Sequence, residues 1–138
     1  MTRYAVTTID ALPSIDDEGV DWRPIQHYFQ LTAFGINVYR ATAPGTQVIG
    51  DHDEVSGDHE EVYLVLEGTV RFTVDDESFT LGRGAVVAIP DPAVRRAAVA
   101  ETAGASVLAV GNRRAERFES TWRQDHFAGV PTYDQRRG

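Results

Sequence analysis

The sequence lacks two residue types altogether, cysteine and lysine, and its 13 basic residues are therefore all arginine. The absence of cysteine excludes a disulfide framework, a thiolate nucleophile and a zinc site built on sulfur. The absence of lysine excludes Schiff-base chemistry on a lysine amine. The chain is 138 residues long and 42% hydrophobic, which is enough to bury one core, so we expect a single domain over residues 1–138.

Positive charge is also scarce. The net charge is −8 and the isoelectric point is about 4.8, which argues against binding to phosphate backbones, since such binding depends on a basic surface. We therefore expect no nucleic-acid partner. No stretch approaches the roughly 20 apolar residues that span a bilayer, and the first residues form no apolar leader. These features predict a cytoplasmic protein with no membrane partner.

Short strands at regular spacing account for most of the pattern. Apolar or alternating segments lie at residues 61–67, 70–74, 79–81, 85–89, 94–100 and 106–110. The aromatic and β-branched segment 26–41 predicts one strand, or two strands bent at Gly35, and residues 3–9 predict an edge strand. Such spacing is typical of an all-β sandwich or barrel. We predict a barrel core at about 26–111.

The C-terminal extension, residues 112–138, has no such pattern and is expected to be irregular or to hold a short helix. Its aromatic residues Phe118, Trp122 and Phe127 are expected to cover part of the barrel or of a partner subunit. A polar segment, residues 51–60, precedes the most apolar strand and is too polar for the core. We expect this segment to form a loop at the mouth of the barrel.

Two spacings resemble the motifs of the cupin superfamily, small β-barrels that usually hold a metal on three histidines and a glutamate. Glu61, six residues and Gly68 match the end of the first motif, and Gly84, five residues and Pro90 match the start of the second. The resemblance covers roughly residues 35–111 and implies the cupin double-stranded β-helix, a jelly-roll barrel. The sequence looks most like a group of uncharacterised bacterial single-domain cupins that share His-Asp-Glu at 52–54, His-Glu-Glu at 59–61 and Asp-Pro-x-x-Arg-Arg at 91–96.

The metal-ligand positions of these motifs are mostly not histidine here. The His-x-His pair falls on Glu54 and Ser56 in one register, or on Val55 and Gly57 in the other, and the later histidine falls on Arg95. The resemblance therefore leaves Glu61 as the single usual ligand of the four.

The first functional hypothesis is a barrel that binds a small molecule without any cofactor. In one form of this hypothesis the small molecule is an anion. In their cupin positions Glu61 and Arg95 would face each other inside the barrel, either as an internal ion pair or as a ligand site. Tyr63 points to the same side as Glu61, and Tyr39 is expected to line the barrel. Arg96 is the next residue after Arg95, so on a strand its side chain points to the opposite face, and it is expected to face solvent.

The alternative hypothesis is a metal-dependent enzyme, an oxygenase or isomerase, that uses a shifted ligand set. Residues two apart on a strand share a face, so His52 could act with Glu54, and His59 with Glu61. Two imidazoles and two carboxylates suit one divalent iron, manganese, nickel or zinc ion. The other interpretation of this cluster is a solvated acidic loop.

Association of two copies is expected under either hypothesis. Resemblance to small cupins implies a homodimer paired through edge strands, and residues 1–9 could supply such an edge.

Overall fold

The structure is a computed structural model that describes residues 3–121 and 124–134. Within these residues the chain forms ten β-strands, which are β1 (Ile15–Asp17), β2 (Val20–Pro24), β3 (Gly35–Ala41), β4 (Gln47–His52), β5 (His59–Glu67), β6 (Val70–Val74), β7 (Glu77–Leu81), β8 (Val86–Ile89), β9 (Arg96–Ala100) and β10 (Ser106–Arg113). One short helix, α1 (Ile25–Phe29), and two 3-10 turns, Ile9–Ala11 and Gln124–Phe127, complete the description. No helix among the described residues has the length and apolarity needed to cross a bilayer.

The strands form two antiparallel sheets that face each other. The six-stranded sheet has the order β1-β2-β3-β10-β5-β8, and the four-stranded sheet has the order β4-β9-β6-β7. Their inner faces share one apolar core, whose largest buried members include Tyr63, Val65, Val70, Phe72 and Val107. The prediction of an all-β jelly roll is therefore confirmed, and its sheet extends on the N-terminal side to Ile15.

Gly68 shows why the motif needs a glycine between β5 and β6. Its backbone has φ of +71°, a conformation that strains other residues. A Cβ at this position would lie 2.6 Å from Thr102 Oγ1 and 2.8 Å from Ala105 Cα. The turn therefore requires glycine both for its conformation and for the close approach of the 102–105 turn.

The segment 26–41 is not a continuous strand, so that prediction is wrong over its first part. Pro24 precedes helix α1, where a residue without an N–H breaks no hydrogen bond. The helix ends at Gln30, which adopts a left-handed conformation with φ of +57°. Gln26 Oε1 accepts a hydrogen bond of 2.8 Å from the Ile36 N–H, which ties the helix to the start of β3. Tertiary contacts here override the strand propensity of the aromatic residues.

The N-terminal segment is not an edge strand either. Thr8 caps the 3-10 turn Ile9–Ala11, accepting a hydrogen bond of 3.3 Å from the Ala11 N–H. Arg23 then fixes the segment by donating from Nη1 to the carbonyl oxygens of Ile9, Asp10 and Leu12 at 3.1, 3.0 and 2.8 Å. Side-chain hydrogen bonds therefore fix residues 8–12, and the described residues 3–9 form no strand.

The first two residues of the predicted C-terminal extension, Asn112 and Arg113, belong to β10. The rest of its described residues are irregular apart from the 3-10 turn and a helical pair at 133–134. Phe118 is 90% exposed, so the expectation that it covers the barrel is wrong within the single chain, whereas Phe127 is half-buried at 47% exposed. Trp122 lies outside the described residues.

Candidate functional site

The candidate site forms where three strands meet at one end of the barrel. Strand β4 ends at His52, β5 begins at His59, and β9 begins at Arg96. His52 is the direct cross-strand partner of Arg96, so their side chains share the inner face. Glu61 follows two residues after His59 on the same face. Of the predicted loop 51–60, only residues 53–58 form a loop, because 51–52 end β4 and 59–60 begin β5.

A buried ion pair between Arg96 and Glu61 lies at the centre of the site. Arg96 Nη1 donates to Glu61 Oε1 at 3.2 Å, and the Arg96 side chain has no solvent exposure. The Tyr63 hydroxyl donates to the same oxygen at 2.6 Å. A charged donor and a neutral donor therefore fix this carboxylate oxygen.

The guanidinium of Arg96 is only partly satisfied by these contacts. Its Nε and Nη2 atoms are buried and have no hydrogen-bond partner in the structure. A buried donor without a partner costs about 1–3 kcal/mol. Arg96 is therefore a costly residue for the fold, which marks it as a functional candidate.

Two histidines extend the polar network from Glu54. His52 Nε2 lies 3.0 Å from Glu54 Oε1 and 3.9 Å from Glu61 Oε1, while its Nδ1 lies 2.6 Å from the Gly50 carbonyl oxygen. His59 Nδ1 lies 3.4 Å from the other oxygen of Glu54. The structure therefore brings three residues of the shifted ligand set together, which are His52, Glu54 and Glu61, while His59 contacts Glu54 from outside this group.

The predicted roles of Arg95 and Arg96 are reversed in the structure. The Arg95 side chain is 54% exposed and donates from Nε to Asp51 Oδ1 at 3.2 Å, so the prediction that it faces Glu61 is wrong. The prediction that Arg96 faces solvent is wrong as well. The cause is the turn before β9, where the Arg95 N–H donates to Asp75 Oδ1 and the strand begins one residue later.

A sequence signal for this register did exist. Arg96 alternates with Ala98 and Ala100, and both alanines are buried in the core. These three residues pair across β6 with Val74, Phe72 and Val70, the residues whose strict alternation predicted a buried face. The alternation along β9 therefore predicts that Arg96 points inside the barrel, whereas the motif interval that follows Pro90 predicted Arg95.

Two adjoining cavities open onto the site, with volumes of about 400 and 300 Å³. Both are lined by Tyr39, Glu61 and Ala109. The larger cavity also contacts His59 beside helix α1. The smaller cavity contacts β4 and a cluster of acidic and imidazole side chains, which are Asp17, Glu18, His52 and Glu54. The cavities place Glu61 and Tyr39 where a small molecule would reach both.

The two tyrosines of the site remain protonated in the physiological range. Burial, together with the nearby carboxylates of Glu61 and Glu54, raises the pKa of Tyr39 to about 12. Burial is also the largest cause that raises the pKa of Tyr63, followed by its hydrogen bond to Glu61. Both phenols are therefore hydrogen-bond donors, and only Tyr39 lies on both cavities.

Gly111 provides the space that Glu61 occupies. The two residues are cross-strand partners between β10 and β5. A Cβ on residue 111 would lie 2.9 Å from Glu61 Cγ and 3.1 Å from the Glu60 carbonyl oxygen. This glycine positions the carboxylate, a role that its place in the sequence pattern did not reveal.

A family model described as a cupin domain matches residues 40–111, just over half of the chain. The chain therefore belongs to the cupin family. No curated protein matches the sequence. Among solved structures, a cupin protein from Bacteroides fragilis is similar with a TM-score of 0.67 and 19% identity, over 88% of this chain and 93% of that one.

Two other similar structures have more specific descriptions. A putative sugar phosphate isomerase from Acidithiobacillus ferrooxidans has a TM-score of 0.60 and 20% identity, over 68% of this chain but only 59% of that one. A variant of PAC13 from Streptomyces, solved with uridine, has a TM-score of 0.60 and 17% identity, over 82% of this chain and 84% of that one. At such low identity these likenesses establish the fold alone.

The residues of the site do not fit the three histidines and one glutamate that the resemblance implies for a metal. One atom each from His52, Glu54 and Glu61 lies within 4.8 Å of the others, and His59 is outside this group. Arg96 Nη1 lies 3.2 Å from the Glu61 oxygen and 4.0 Å from the Glu54 oxygen. A guanidinium is always protonated and cannot ligate a metal, so it would repel a cation bound between these carboxylates.

Proposed function

We propose that this cupin binds a small molecule inside the barrel and does so without a metal. The observation that carries the proposal is the buried contact between Arg96 and Glu61. In it, a permanent positive charge of the protein neutralises the carboxylate that a metal would otherwise neutralise. Glu61, held from one side by Arg96 and Tyr63, is then a fixed hydrogen-bond acceptor for a ligand in either cavity.

The cavity lining favours an uncharged, hydroxyl-rich ligand. Carboxylates of Asp17, Glu18, Glu54 and Glu61 line the smaller cavity, and no arginine is among the described residues that line either cavity. The expected position of Arg95 suggested an anionic ligand. Such a ligand would lie beside these carboxylates with no arginine among the described lining residues to neutralise its charge. Hydroxyl groups can donate to the carboxylates and accept from Tyr39. One similar structure was solved with uridine, an uncharged molecule that carries hydroxyl groups, which agrees with this preference. Another is described as a sugar phosphate isomerase, whose named class of compound carries a phosphate, and it does not support the preference for an uncharged ligand.

Paired neutral and anionic probes test this proposal. We would titrate the protein with uridine and with uridine monophosphate, and with glucose and glucose 6-phosphate, following amide shifts by NMR. We expect the neutral member of a pair to bind at least about 10-fold more tightly, because the phosphate meets uncompensated carboxylates. Shifts should centre on Tyr39 and Glu61.

The Glu61→Gln variant provides the matched test of the site. It should weaken binding by about 10-fold or more, since an amide replaces the charged acceptor. Glu77→Gln, on exposed strand β7, is the control and should bind as the unmodified protein does. Tighter binding of the phosphates, or no shift at Tyr39 with either neutral probe at millimolar concentration, would contradict the proposal.

A second candidate function is a metal-dependent isomerase or oxygenase. It is favoured by the proximity of His52, Glu54 and Glu61, whose potential ligand atoms lie within 4.8 Å of one another. Elemental analysis of the purified protein separates the two functions. We expect far less than one equivalent of any transition metal. Near one equivalent of iron, manganese, nickel or zinc, lost in Glu61→Gln, would establish the second function and overturn the first.

A further inference from the structure

The two cavities of the site differ in the hydrogen-bonding groups that they present. The smaller cavity is lined by carboxylates, which accept hydrogen bonds. The larger cavity is lined by neutral side chains apart from His59 and Glu61, and these include the amides of Gln26 and Asn37. The cavities adjoin at Tyr39 and Glu61, which line both. A ligand that spans this junction therefore meets different chemistry at each end.

The two amides of the larger cavity offer donors, because their oxygens are already occupied. Trp22 Nε1 donates to Asn37 Oδ1 at 2.9 Å, and the Ile36 N–H donates to Gln26 Oε1 at 2.8 Å. An indole nitrogen and a backbone nitrogen can only donate, so these contacts fix which end of each amide is the oxygen. Among the described residues neither NH₂ group has a hydrogen-bond partner. Each NH₂ group is therefore a free donor for a ligand.

The rim of the larger cavity adds apolar contact area. Leu31 and Phe34 line this cavity and are 41% and 42% exposed. Asn112 holds the segment that carries them, because its Nδ2 donates to the Ala33 carbonyl oxygen while its Oδ1 accepts from the Arg113 N–H at 2.7 Å. An aromatic ring at the mouth of a cavity can stack on a planar group. The larger cavity thus combines two hydrogen-bond donors with an apolar surface.

We propose that the ligand is a pyrimidine nucleoside, with its planar carbonyl-bearing ring in the larger cavity and its neutral sugar in the smaller one. The inference rests on the proposed function and extends it by naming the chemical class of the ligand. Carbonyl oxygens of the ring accept from Gln26 and Asn37, and the face of the ring packs against Phe34. Hydroxyl groups of the sugar donate to Glu61, and Tyr39 donates at the junction.

The fixed orientation of the amides makes the site selective for the ring. Uridine carries a carbonyl oxygen at a ring position where cytidine carries an amino group. An amino group cannot accept from an amide NH₂ group. Rotation of either amide to present its oxygen would break that amide's contact with Trp22 or Ile36. The site therefore favours uridine over cytidine.

Titration of the full chain with neutral probes, followed by NMR, tests this inference. The probes are uridine, cytidine, uracil and methyl β-D-riboside. We expect uridine to bind at least about 10-fold more tightly than each of the others, because only uridine fills both cavities with matched groups. The side-chain NH₂ signals of Gln26 and Asn37 should shift with uridine and not with methyl riboside. The backbone signals of Tyr39 and Glu61 should shift with both.

Nearly isosteric variants test the position of the ring. Asn37→Asp and Gln26→Glu keep the oxygen that accepts from Trp22 or Ile36 and replace the NH₂ donor by an acceptor. Each should weaken uridine binding by about 10-fold or more and change methyl riboside binding by less than about 2-fold. Thr80→Glu, at an exposed position on β7, adds the same charge away from the site and should bind uridine as the unmodified protein does.

Circular dichroism would show that each variant is folded. If methyl riboside shifts Tyr39 and Glu61 but uridine binds no more tightly than methyl riboside or cytidine, this inference is overturned and the proposed function is not. Uridine binding that tolerates both Asn37→Asp and Gln26→Glu also overturns this inference alone. If no neutral probe shifts Tyr39 or Glu61 at millimolar concentration, the inference and the proposed function fail together.

Discussion

Replacement of Arg96 by methionine should be among the most damaging single changes to this protein. Methionine keeps much of the side-chain volume and removes the charge. It leaves the Glu61 carboxylate, which is 15% exposed, beside Glu54 with no cation to neutralise it. Removing one partner of a buried pair typically costs about 3–5 kcal/mol, and we expect a loss in that range.

The magnitude follows from opposing contributions. At the 3.2 Å separation of Arg96 Nη1 and Glu61 Oε1 the attraction is about 5 kcal/mol with an effective dielectric constant of about 20. Desolvation costs several kcal/mol for each ion, and the two unpartnered donors of Arg96 cost about 1–3 kcal/mol each. Together these costs equal or exceed the attraction. The pair as a whole therefore contributes little or no net stability, while either residue alone is a liability.

A double-mutant cycle measures this contrast. Urea denaturation would give the free energy of unfolding for Arg96→Met, Glu61→Gln and the double variant. We expect the double variant to lose only about 1–2 kcal/mol, well below the sum of the single losses. Arg95→Met is the matched control, because Arg95 forms an exposed ion pair that contributes less than about 1 kcal/mol.

Two results would refute the reasoning. If Arg96→Met and Arg95→Met cost the same, Arg96 does not occupy a buried charged site. If the losses of the two single variants simply add in the double variant, Arg96 and Glu61 do not interact as the structure describes.

Three further predictions concern the same barrel. In a spectrophotometric titration we expect the phenolate of Tyr39 to form only near pH 12, because burial raises the pKa of Tyr39. A Tyr39→Phe variant should lack this signal. Because the unfolded phenol loses its proton near pH 10, the free energy of unfolding should fall as pH rises between about 10 and 12. Gly111→Ala should weaken binding of a neutral probe by about 10-fold, because the new methyl group displaces Glu61. Arg23→Gln should release the N-terminal segment, which limited proteolysis before Leu12 would detect, and should cost about 2–3 kcal/mol.

Each of these predictions has a contrary outcome. A Tyr39 titration near pH 10 would mean that the phenol is open to water. Unchanged binding in Gly111→Ala would mean that Glu61 does not contact the ligand. Equal protease resistance of Arg23→Gln and the unmodified protein would mean that Arg23 does not fix the segment; Arg71→Gln, at an exposed outward position, is the control.

Much of the fold was predictable because the signals for it are local. The alternation of residues 70–74 and the glycine at position 68 depend on neighbouring residues and on one turn, so the local pattern predicted the hairpin. The family followed from the resemblance of two intervals to cupin motifs. Helix α1 was missed because its residues have strand propensity and its stability depends on contacts with β3. The proximity of His52, Glu54 and Glu61 was predictable as part of a larger set with His59, because these residues lie at the end of β4, in the loop that follows and at the start of β5.

The sequence by itself determined that this chain is an acidic, lysine-free cupin barrel whose second motif carries an arginine where the family usually has a histidine. It could not determine which arginine enters the barrel, because a shift of one residue on a strand reverses the side chain's direction. Only the tertiary structure decided that Arg96, and not Arg95, lies against Glu61, since that register depends on where β9 begins beside β4 and β6. The chemistry of the site therefore depends on pairing between strands that are distant in the sequence, which local patterns do not specify.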